Sequence, residues 1–389
     1  MYLKTNKNRI SVLSVCMLLL FSIISEAQNF RSLLSKPASW FGSEEAKSIA
    51  ENVLLYQRNA GGWALHNDYF KDYSGEQRIK ISNEKYKRDC SFRDQATFSE
   101  LEFLAKAFQA VPDKRYLNAF NRGLDFIFEA QYDNGGWPKH YPEPNKVWFV
   151  GVQSKWNPEP FERYIAFNDD AQAGILELVK NVAGGKGEFG FVDRERRQKA
   201  AEALQKGIEC VLKIQFYYDG QLTAWPQQAD EVTLEPRWGR HFEPPSIAGR
   251  ESVGIIRFLM SIENPSPEII HSVQSAVKWM DDVKIRNTKI VESDTMTVLC
   301  EVRNKLFPGR RDVWTEHDEN APPVWARYYE LNTFRPVFCS RDDTIRHSLA
   351  EISLERRSGY RWYGYWPEKL LNEDYPEWCK KHKLENVTE

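Results

Sequence analysis

A short phrase running from Gln through a glycine-containing turn to Trp occurs three times, and it constrains the fold more than any other feature. The copies are residues 57–63 (QRNAGGW), residues 131–138 (QYDNGGWP) and, in an altered form, residues 215–226. Each copy follows a stretch with apolar residues at helical spacing, such as Leu124, Ile127 and Phe128 before the second copy. A helix that recurs with such a turn predicts stacked helix pairs.

Further stretches between the copies share this periodicity. The predicted helices are 46–56, 96–110, 117–130, 171–182, 200–214, 251–261 and 266–281. Residues 289–302 differ and predict a small strand pair. Helix pairs that curve back on themselves close into a ring. We therefore predict an all-α fold, an α/α toroid with minor short β-strands.

The Gly-Trp turns admit two interpretations. In the first, they gather at one end of the toroid and line a cleft, where Trp137 and Trp225 bind substrate. In the second, glycine ends the helix in the left-handed conformation and the Trp packs back against it. Three copies with flanking Asn, Asp or Pro favour the shared functional rim.

The beginning of the chain predicts export. Lys4, Lys7 and Arg9 precede an apolar run over residues 12–24, and small residues stand at the −3 and −1 positions of a cut after Ala27. This pattern is typical of a signal peptide, here residues 1–27, although an uncleaved anchor is the alternative. We expect residues 28–45 to be an N-terminal extension, 46–371 one domain, and 372–389 a polar tail with little core. The mature protein would be periplasmic or extracellular and not membrane-bound.

Charge and cysteine content narrow the class of protein. The formal net charge of −2 argues against a nucleic-acid or membrane-surface binder, which is usually strongly basic. Removing residues 1–27 leaves five scattered cysteines without metal-binding spacing, so we expect mostly buried free thiols and at most two disulfides. They are Cys90, Cys210, Cys300, Cys339 and Cys379.

Two acidic segments stand just before predicted helices. One contains Asp94, followed by Gln95, and the other contains the adjacent pair Asp169 and Asp170 after Asn168. Oxygen-rich groups of this kind suit calcium. The alternative is that these carboxylates cap the helices that follow them.

Two other segments are rich in arginine and aromatic residues. Residues 235–246 include Arg240, and residues 325–342 include Arg327 and Arg341. Guanidinium groups bind carboxylates through paired hydrogen bonds, which suits uronate recognition, although each could instead be a surface or salt-bridged residue. Together, the acidic and basic segments predict an anionic, calcium-linked ligand.

Several segments resemble pectate lyases of polysaccharide lyase family 10. The resemblance spans roughly residues 46–371 and rests on residues 94–97, 135–138, 165–171, 222–225, 234–252 and 325–341. It implies an α/α toroid that cleaves α-1,4-linked polygalacturonate by calcium-assisted β-elimination and yields 4,5-unsaturated oligogalacturonates. Three positions depart from the family pattern: Gln95, Pro226 and Arg250.

The resemblance also implies roles for individual residues. Asp169 matches the calcium-binding aspartate and Asp94 another acidic residue of the metal and substrate site. Arg240 matches the arginine proposed as base, while Arg327 and Arg341 match arginines that hold substrate carboxylates. A neutral arginine is scarce near pH 7, so such a base favours alkaline conditions or neighbouring cations. We expect a monomer.

Other functions are compatible with the same residues. An inverting glycoside hydrolase on a similar toroid could use Asp94 with Asp169 or Asp170 as its two carboxylates. A terpene cyclase-like protein shares Gly-Trp repeats and an Asp-Asp pair, but a signal peptide and clustered arginines argue against it. An inactive pectin-binding protein would bind polygalacturonate without cleaving it.

Overall fold

The computed structural model describes residues 30–143, 154–157, 160–296, 300–302, 305–307 and 311–388. Its helices are α1 Glu44–Tyr56, α2 Gly75–Ser82, α3 Phe98–Ala110, α4 Lys114–Ala130, α5 Ala171–Gly184, α6 Arg194–Ile214, α7 Glu251–Met260, α8 Pro267–Asp282, α9 Leu354–Gly359 and α10 Tyr375–His382. All seven predicted helices are confirmed. Local capping explains several starts: Ser43, Asp193 and Ser266 each accept a backbone N–H from the first turn.

The strands pair two at a time in the part of the chain that the structure describes. They are β1 Ile165–Ala166, β2 Tyr217–Tyr218, β3 Gln221–Leu222, β4 Gln228–Ala229, β5 Ile247–Ala248, β6 Thr288–Met296, β7 Cys300–Val302, β8 Lys305–Phe307, β9 Arg311–His317, β10 Trp325–Ala326, β11 Tyr328–Tyr329, β12 Phe338–Cys339, β13 Ile345–Arg346 and β14 Tyr363–Gly364. All pairs are antiparallel, and the longest joins β6 to β9. The helical class is confirmed, and residues 289–302 do contain strands, but β6 pairs with β9 and β7 with β8, so the two do not form the predicted pair with each other. Closure into a toroid stays a prediction.

The chain divides into two compact units. The first comprises Met1–Ser91, Ala96–Ile127 and Gly187–Phe191, and the second comprises Phe92–Gln95, Phe128–Lys186 and Val192–Glu389. Each unit has its own buried aromatic core. Trp63 and Phe103 are fully buried in the first, and Trp137 and Trp225 in the second.

The Gln of each repeated phrase clamps its turn to a later helix. The side-chain amide of Gln57 donates to Gly61 O and Ala119 O, both at 2.8 Å. Gln131 does the same with Gly135 O at 2.9 Å and Ala203 O at 2.8 Å. In the third copy, Gln215 donates to Thr223 O at 2.7 Å and Ser272 O at 3.0 Å. In all three copies, the Gln of the phrase therefore links its own turn to a later helix through the same pair of hydrogen bonds.

The Trp of each phrase belongs to the core, and its backbone N–H finds a side-chain acceptor. Trp63 donates to Thr97 Oγ1, Trp137 to Gln172 Oε1 and Trp225 to Ser252 Oγ, at distances of 3.1, 3.3 and 3.0 Å. Gly135 has a φ of +95°, and a Cβ there would collide with Lys206 O, so this turn requires glycine.

These contacts correct one site prediction. The side chains of Trp137 and Trp225 are 0% exposed, so neither indole has a face to offer a sugar. The indole N–H of Trp225 is bonded to Val211 O at 2.8 Å. The interpretation in which Trp packs back against the helix is the correct one, because burial of the large ring stabilises the helix pair.

The polar C-terminal segment also differs from its prediction. It forms α10, whose residues Tyr375, Trp378 and Cys379 are buried, so it contributes to the core. Spaced by three and four, these apolar residues form one face of a short helix. Cys90, Cys210, Cys339 and Cys379 are buried free thiols, as predicted, while the side chain of Cys300 lies outside what the structure describes.

The N-terminal prediction falls on residues that the structure leaves undescribed. Residues 1–29, which include the predicted signal peptide, lie outside the described ranges. Among the described helices, none is both long and apolar enough to cross a membrane.

Candidate active site

Asp94 and Asp169 occupy matching positions in two tight turns. Asp94 has φ 51° and ψ 30°, and Asp169 has φ 58° and ψ 31°, both left-handed. The residue after each is also left-handed, with φ 64° at Gln95 and 60° at Asp170. Asp and Asn tolerate this conformation better than most residues, which favours an aspartate in both turns.

Neither turn is explained by helix capping. Helix α3 begins after Thr97, three residues beyond Asp94. Asp170 precedes α5 directly, but its side chain makes no capping hydrogen bond. The carboxylates are directed elsewhere, which contradicts the capping alternative.

Arg93 joins the two aspartates. Its Nε lies 3.0 Å from Asp94 Oδ2 and 3.5 Å from Asp169 Oδ2. The structure therefore brings these two predicted site residues together, although 75 positions separate them in the sequence. A positive charge is stable between them, since it is shared by two carboxylates.

Asp169 is surrounded by further cations. Arg327 Nη2 lies 3.5 Å and Arg250 Nη1 3.9 Å from Asp169 Oδ1. Burial by itself would raise the pKa of Asp169, but Arg327 and Arg93, with Lys139 and Arg240 behind them, lower it below its usual value. Asp169 is therefore ionised over the whole neutral range.

Arg327 is held in place by Glu251 and an aromatic ring. Its Nε and Nη2 lie 3.0 and 2.5 Å from Glu251 Oε1, and its guanidinium stacks on Tyr360 at 4.3 Å. Arg250 Nη1 reaches the same Glu251 oxygen at 3.0 Å. Burial disfavours the charged form, but Glu251 outweighs it and holds the pKa of Arg327 well above its usual value. Arg327 is a fixed cation.

Arg240 and Arg341 lie on the same aromatic ring. Their guanidinium carbons lie 4.7 and 5.1 Å from the centre of Phe242, and that of Arg356 lies at 4.3 Å. Phe242 in turn contacts Tyr360, with ring centres 5.5 Å apart. The two aromatic rings therefore connect these three arginines to Arg327 and Asp169.

Each arginine on this ring has a carboxylate partner. Arg240 pairs with buried Glu243, which also accepts the Arg240 backbone N–H at 2.9 Å. Burial opposes the charge on Arg240, but Glu243 raises its pKa above the usual value. Arg341 forms two 3.1 Å contacts to Glu355. Glu355 also pairs with Arg356, whose pKa is lowered, chiefly by burial.

Several residues at this site were not found from the sequence. They are Arg93, Lys139, Glu243, Arg250, Glu251, Arg356 and Tyr360. Arg93 and Arg250 stand directly beside recognised motifs, so adjacency was an available signal. Lys139 follows the second Gly-Trp turn and is 1% exposed; burial lowers its pKa to about 8. Glu243 and Glu251 lie within the recognised segment 234–252, but nothing local shows that they pair with Arg240 and Arg327; no local pattern marks Arg356 or Tyr360.

The carboxylates offer a partial metal site. No group of three or more His, Cys, Asp or Glu side chains with metal-binding geometry occurs in the described ranges. Asp94 and Asp169 nevertheless place carboxylate oxygens 3.0 and 3.5 Å from one cationic atom, here Arg93 Nε. Calcium takes six to eight oxygens, so these residues fit an ion that is also bound by substrate and water.

Comparison with known proteins identifies the family. The family model for pectic acid lyase matches residues 57–371. A search of curated proteins found no match. Among solved structures, a family 10 polysaccharide lyase from Cellvibrio cellulosa is 25% identical, with a TM-score of 0.68 over 88% of this chain and 94% of that one.

A second similar structure contains a ligand. It is a mutant family 10 polysaccharide lyase from Cellvibrio cellulosa in complex with trigalacturonic acid, 25% identical, with a TM-score of 0.67 over 89% of this chain and 97% of that one. The family match covers most of the chain, and the fold agrees over nearly its whole length. The chain therefore belongs to the pectic acid lyase family and is a polysaccharide lyase.

Proposed function

We propose that this protein cleaves α-1,4-linked polygalacturonate by calcium-assisted β-elimination and releases 4,5-unsaturated oligogalacturonates. The observation that carries the proposal is the concentration of fixed guanidinium groups around the ionised Asp169. Arg93, Arg250 and Arg327 all lie within 4 Å of this single carboxylate. Such a surface suits a substrate with a carboxylate on every sugar.

Substrate binding would use Arg327 and Arg341. Each guanidinium has five N–H donors, so a pair with one glutamate leaves donors for a uronate carboxylate. Glu251 and Glu355 fix the two planes in advance, which lowers the entropy lost on binding. The trigalacturonic acid bound by the similar lyase supports a substrate of this class.

Calcium would be held by Asp169 and Asp94, with Arg93 turning aside. When bound, calcium acts as a Lewis acid that withdraws charge from the C6 carboxylate and so acidifies C5. The chain's own contribution is to keep Asp169 ionised, through Arg327 and Arg93. The two left-handed turns hold the two carboxylates at a shared cation position.

Arg240 is the proposed base. The C5–H bond breaks and its proton passes to Arg240, while the C4–O bond breaks as a C4–C5 double bond forms; the departing glycosidic oxygen leaves with the bonding pair and takes a proton from water. Glu243 favours the charged guanidinium, so the neutral form is rare in the free enzyme. Arg341 and Arg356 on the Phe242 ring oppose that charge. The rate should therefore rise into the alkaline range.

The test is ultraviolet absorbance of the unsaturated product from polygalacturonate, with calcium and with a chelator. Wild type should produce it only with calcium, and Arg240→Ala should lose turnover by about 10²-fold or more while still binding substrate. An active Arg240→Ala enzyme removes Arg240 from the base role, and Arg356→Ala then tests its neighbour on the ring. Fragments without a double bond would indicate a hydrolase, and binding without product an inactive pectin-binding protein.

The proposal also covers export of the protein, its oligomeric state and the closure of its helix pairs into a ring. The charged start, apolar run and Ser-Glu-Ala cut support removal of residues 1–27 and release to the periplasm or medium. Mass spectrometry of the exported protein would locate the cut. We propose a monomer whose helix pairs close into an α/α toroid, as the resemblance implies, and light scattering tests the monomer.

A further inference from the structure

A cavity of about 670 Å³ is lined by residues of β6 and β9 and by residues 357–366. Its wall includes Tyr360, Arg361, Tyr363, Tyr365 and Trp366, together with Glu292 of β6. Aromatic side chains dominate one stretch of chain here. Concave sites with several aromatic faces and a few charged groups are the usual form of a ligand site, and pyranose rings pack against aromatic faces.

The cavity shares a wall with the candidate active site. Tyr360 lines the cavity, stacks on Arg327 at 4.3 Å and contacts Phe242 at 5.5 Å. Strand β14, which contains Tyr363, pairs with β10 just before Arg327. Tyr360 therefore contacts both the guanidinium of Arg327 and the cavity, so the two places are separated by a single aromatic side chain.

The two arginines that line the cavity differ in their ion-pair partners. Arg357 forms two hydrogen bonds of 2.7 and 2.8 Å with Asp312, so the carboxylate balances its positive charge. Arg361 is exposed and makes no ion pair or side-chain hydrogen bond with any residue in the described ranges. Its guanidinium can therefore bind a carboxylate of the ligand without first losing a partner.

The aromatic wall is held by the backbone. A Cβ on Gly364 would lie 2.6 Å from Cε2 of the Trp366 ring, so the indole lies directly against β14. Tyr365 is 40% exposed beside it. A rigid indole and an open phenol lose little entropy when a sugar binds.

We propose that this cavity is a distal subsite that binds a further galacturonate of the chain cleaved at the active site. Arg361 binds its carboxylate, and Trp366 and Tyr365 contact the sugar face. This inference depends on the proposed function, because it presumes a polygalacturonate substrate. It also gives the enzyme a preference for chains long enough to reach from Arg327 past Tyr360.

The test compares Arg361→Ala with Arg286→Ala, an exposed arginine outside the cavity that serves as the matched control. KM is measured on tri-, hexa- and polygalacturonate, and Kd by calorimetry in an Arg240→Ala background. Arg361→Ala should raise both about tenfold on long chains and much less on the trimer, as expected for one lost charge-assisted contact. Gly364→Ala, which displaces Trp366, should show the same dependence on length.

Two results would overturn the subsite. One is an Arg361→Ala enzyme that behaves like Arg286→Ala at every length while wild type still gives unsaturated product. The other is an equal loss on trimer and polymer. A wild-type enzyme that gives no unsaturated product overturns the proposed function instead, so the two failures are distinguishable. Circular dichroism confirms folding of each variant.

Discussion

The turns at Asp94 and Asp169 have nearly the same backbone but very different electrostatic surroundings. Asp94 forms an ion pair with Arg93, and its side chain is 40% exposed. Asp169 is 21% exposed and lies within 4 Å of Arg93, Arg250 and Arg327. Two turns of nearly the same backbone thus place their carboxylates in electrostatic interactions of different strength. Burial reduces the screening of charge by water, so Asp169 interacts more strongly with its arginines than Asp94 does.

The comparison extends into the helices that follow the turns. Thr97 and Gln172 each accept the backbone N–H of a repeat Trp, so the two regions share one mode of attachment. Six residues after each aspartate the chains diverge: Glu100 is buried in α3, whereas Ile175 is buried in α5. The turn and its hydrogen bond to the repeat Trp occur in both regions, whereas the charged residues in the helices that follow differ between them.

The largest difference is expected from removing each carboxylate in turn. Asp169→Asn should reduce kcat/KM by about 10²-fold to 10³-fold, because it leaves three arginines without their shared anion. Asp94→Asn should reduce kcat/KM by about tenfold or less, because the ion pair of Asp94 with Arg93 is partly exposed to water. Asn suits the left-handed turn, so both variants should fold. Steady-state rates of unsaturated product measure the effect, and equal losses would contradict the comparison.

Glu100 should make stability depend on pH, whereas Ile175 cannot. Burial raises the pKa of Glu100 from 4.5 to about 7, although the Tyr69 hydroxyl, at 2.7 Å, favours the charged form. The folded state then binds the proton more tightly than the unfolded state, so stability falls as pH rises from about 4.5 to 7 and stays lower above. Glu100→Gln should remove this loss, about 3 kcal/mol.

Urea unfolding of wild type and Glu100→Gln near pH 5 and pH 8 measures this prediction. The variant should be the more stable protein only at the higher pH. A wild-type protein that gains stability relative to Glu100→Gln on going to pH 8 would show that the sign is wrong.

The side chains that accept the Trp N–H should differ in their contribution to stability. Gln172→Ala should reduce the free energy of unfolding by about 2 kcal/mol, since Gln172 accepts from Trp137 N and also donates to Trp137 O at 2.9 Å. Thr97→Ala should cost about 1 kcal/mol, because loss of the hydrogen bonds from Trp63 N and to Ser91 O is partly offset by removal of a β-branched residue at φ 72°. Thermal unfolding of both variants tests the order, with exposed Thr233→Ala as the control. A larger loss at Thr97 would reverse it.

The smallest effect concerns the cation that bridges the turns. Arg93→Gln should tighten calcium binding to the free enzyme about threefold to fivefold, because a partly exposed charge that competes with the ion contributes up to about 1 kcal/mol. Arg250→Gln should change the calcium affinity less, because the Arg250 guanidinium lies 3.9 Å from Asp169. Calorimetry without substrate measures both. Weaker calcium binding by Arg93→Gln would exclude competition at this site.

Much of the fold and part of the site follow from local sequence. The seven helices were predicted from spacing and caps because these signals act within a few residues. Arg240, Arg327 and Asp169 were found because their segments resemble a known family. The burial of Trp137 and Trp225 was not predicted, because a Gly-Gly-Trp turn has the same sequence whether its ring faces solvent or core.

By itself the sequence determined the repeated scaffold, the helices and the family. Only the tertiary structure decided which charges meet: Arg93 with Asp169, Arg327 with Glu251, and three arginines on Phe242. Helical periodicity and turn chemistry are properties of neighbouring residues. Ion pairs and burial join segments far apart in the chain, and their energies depend on how much water the surrounding residues exclude.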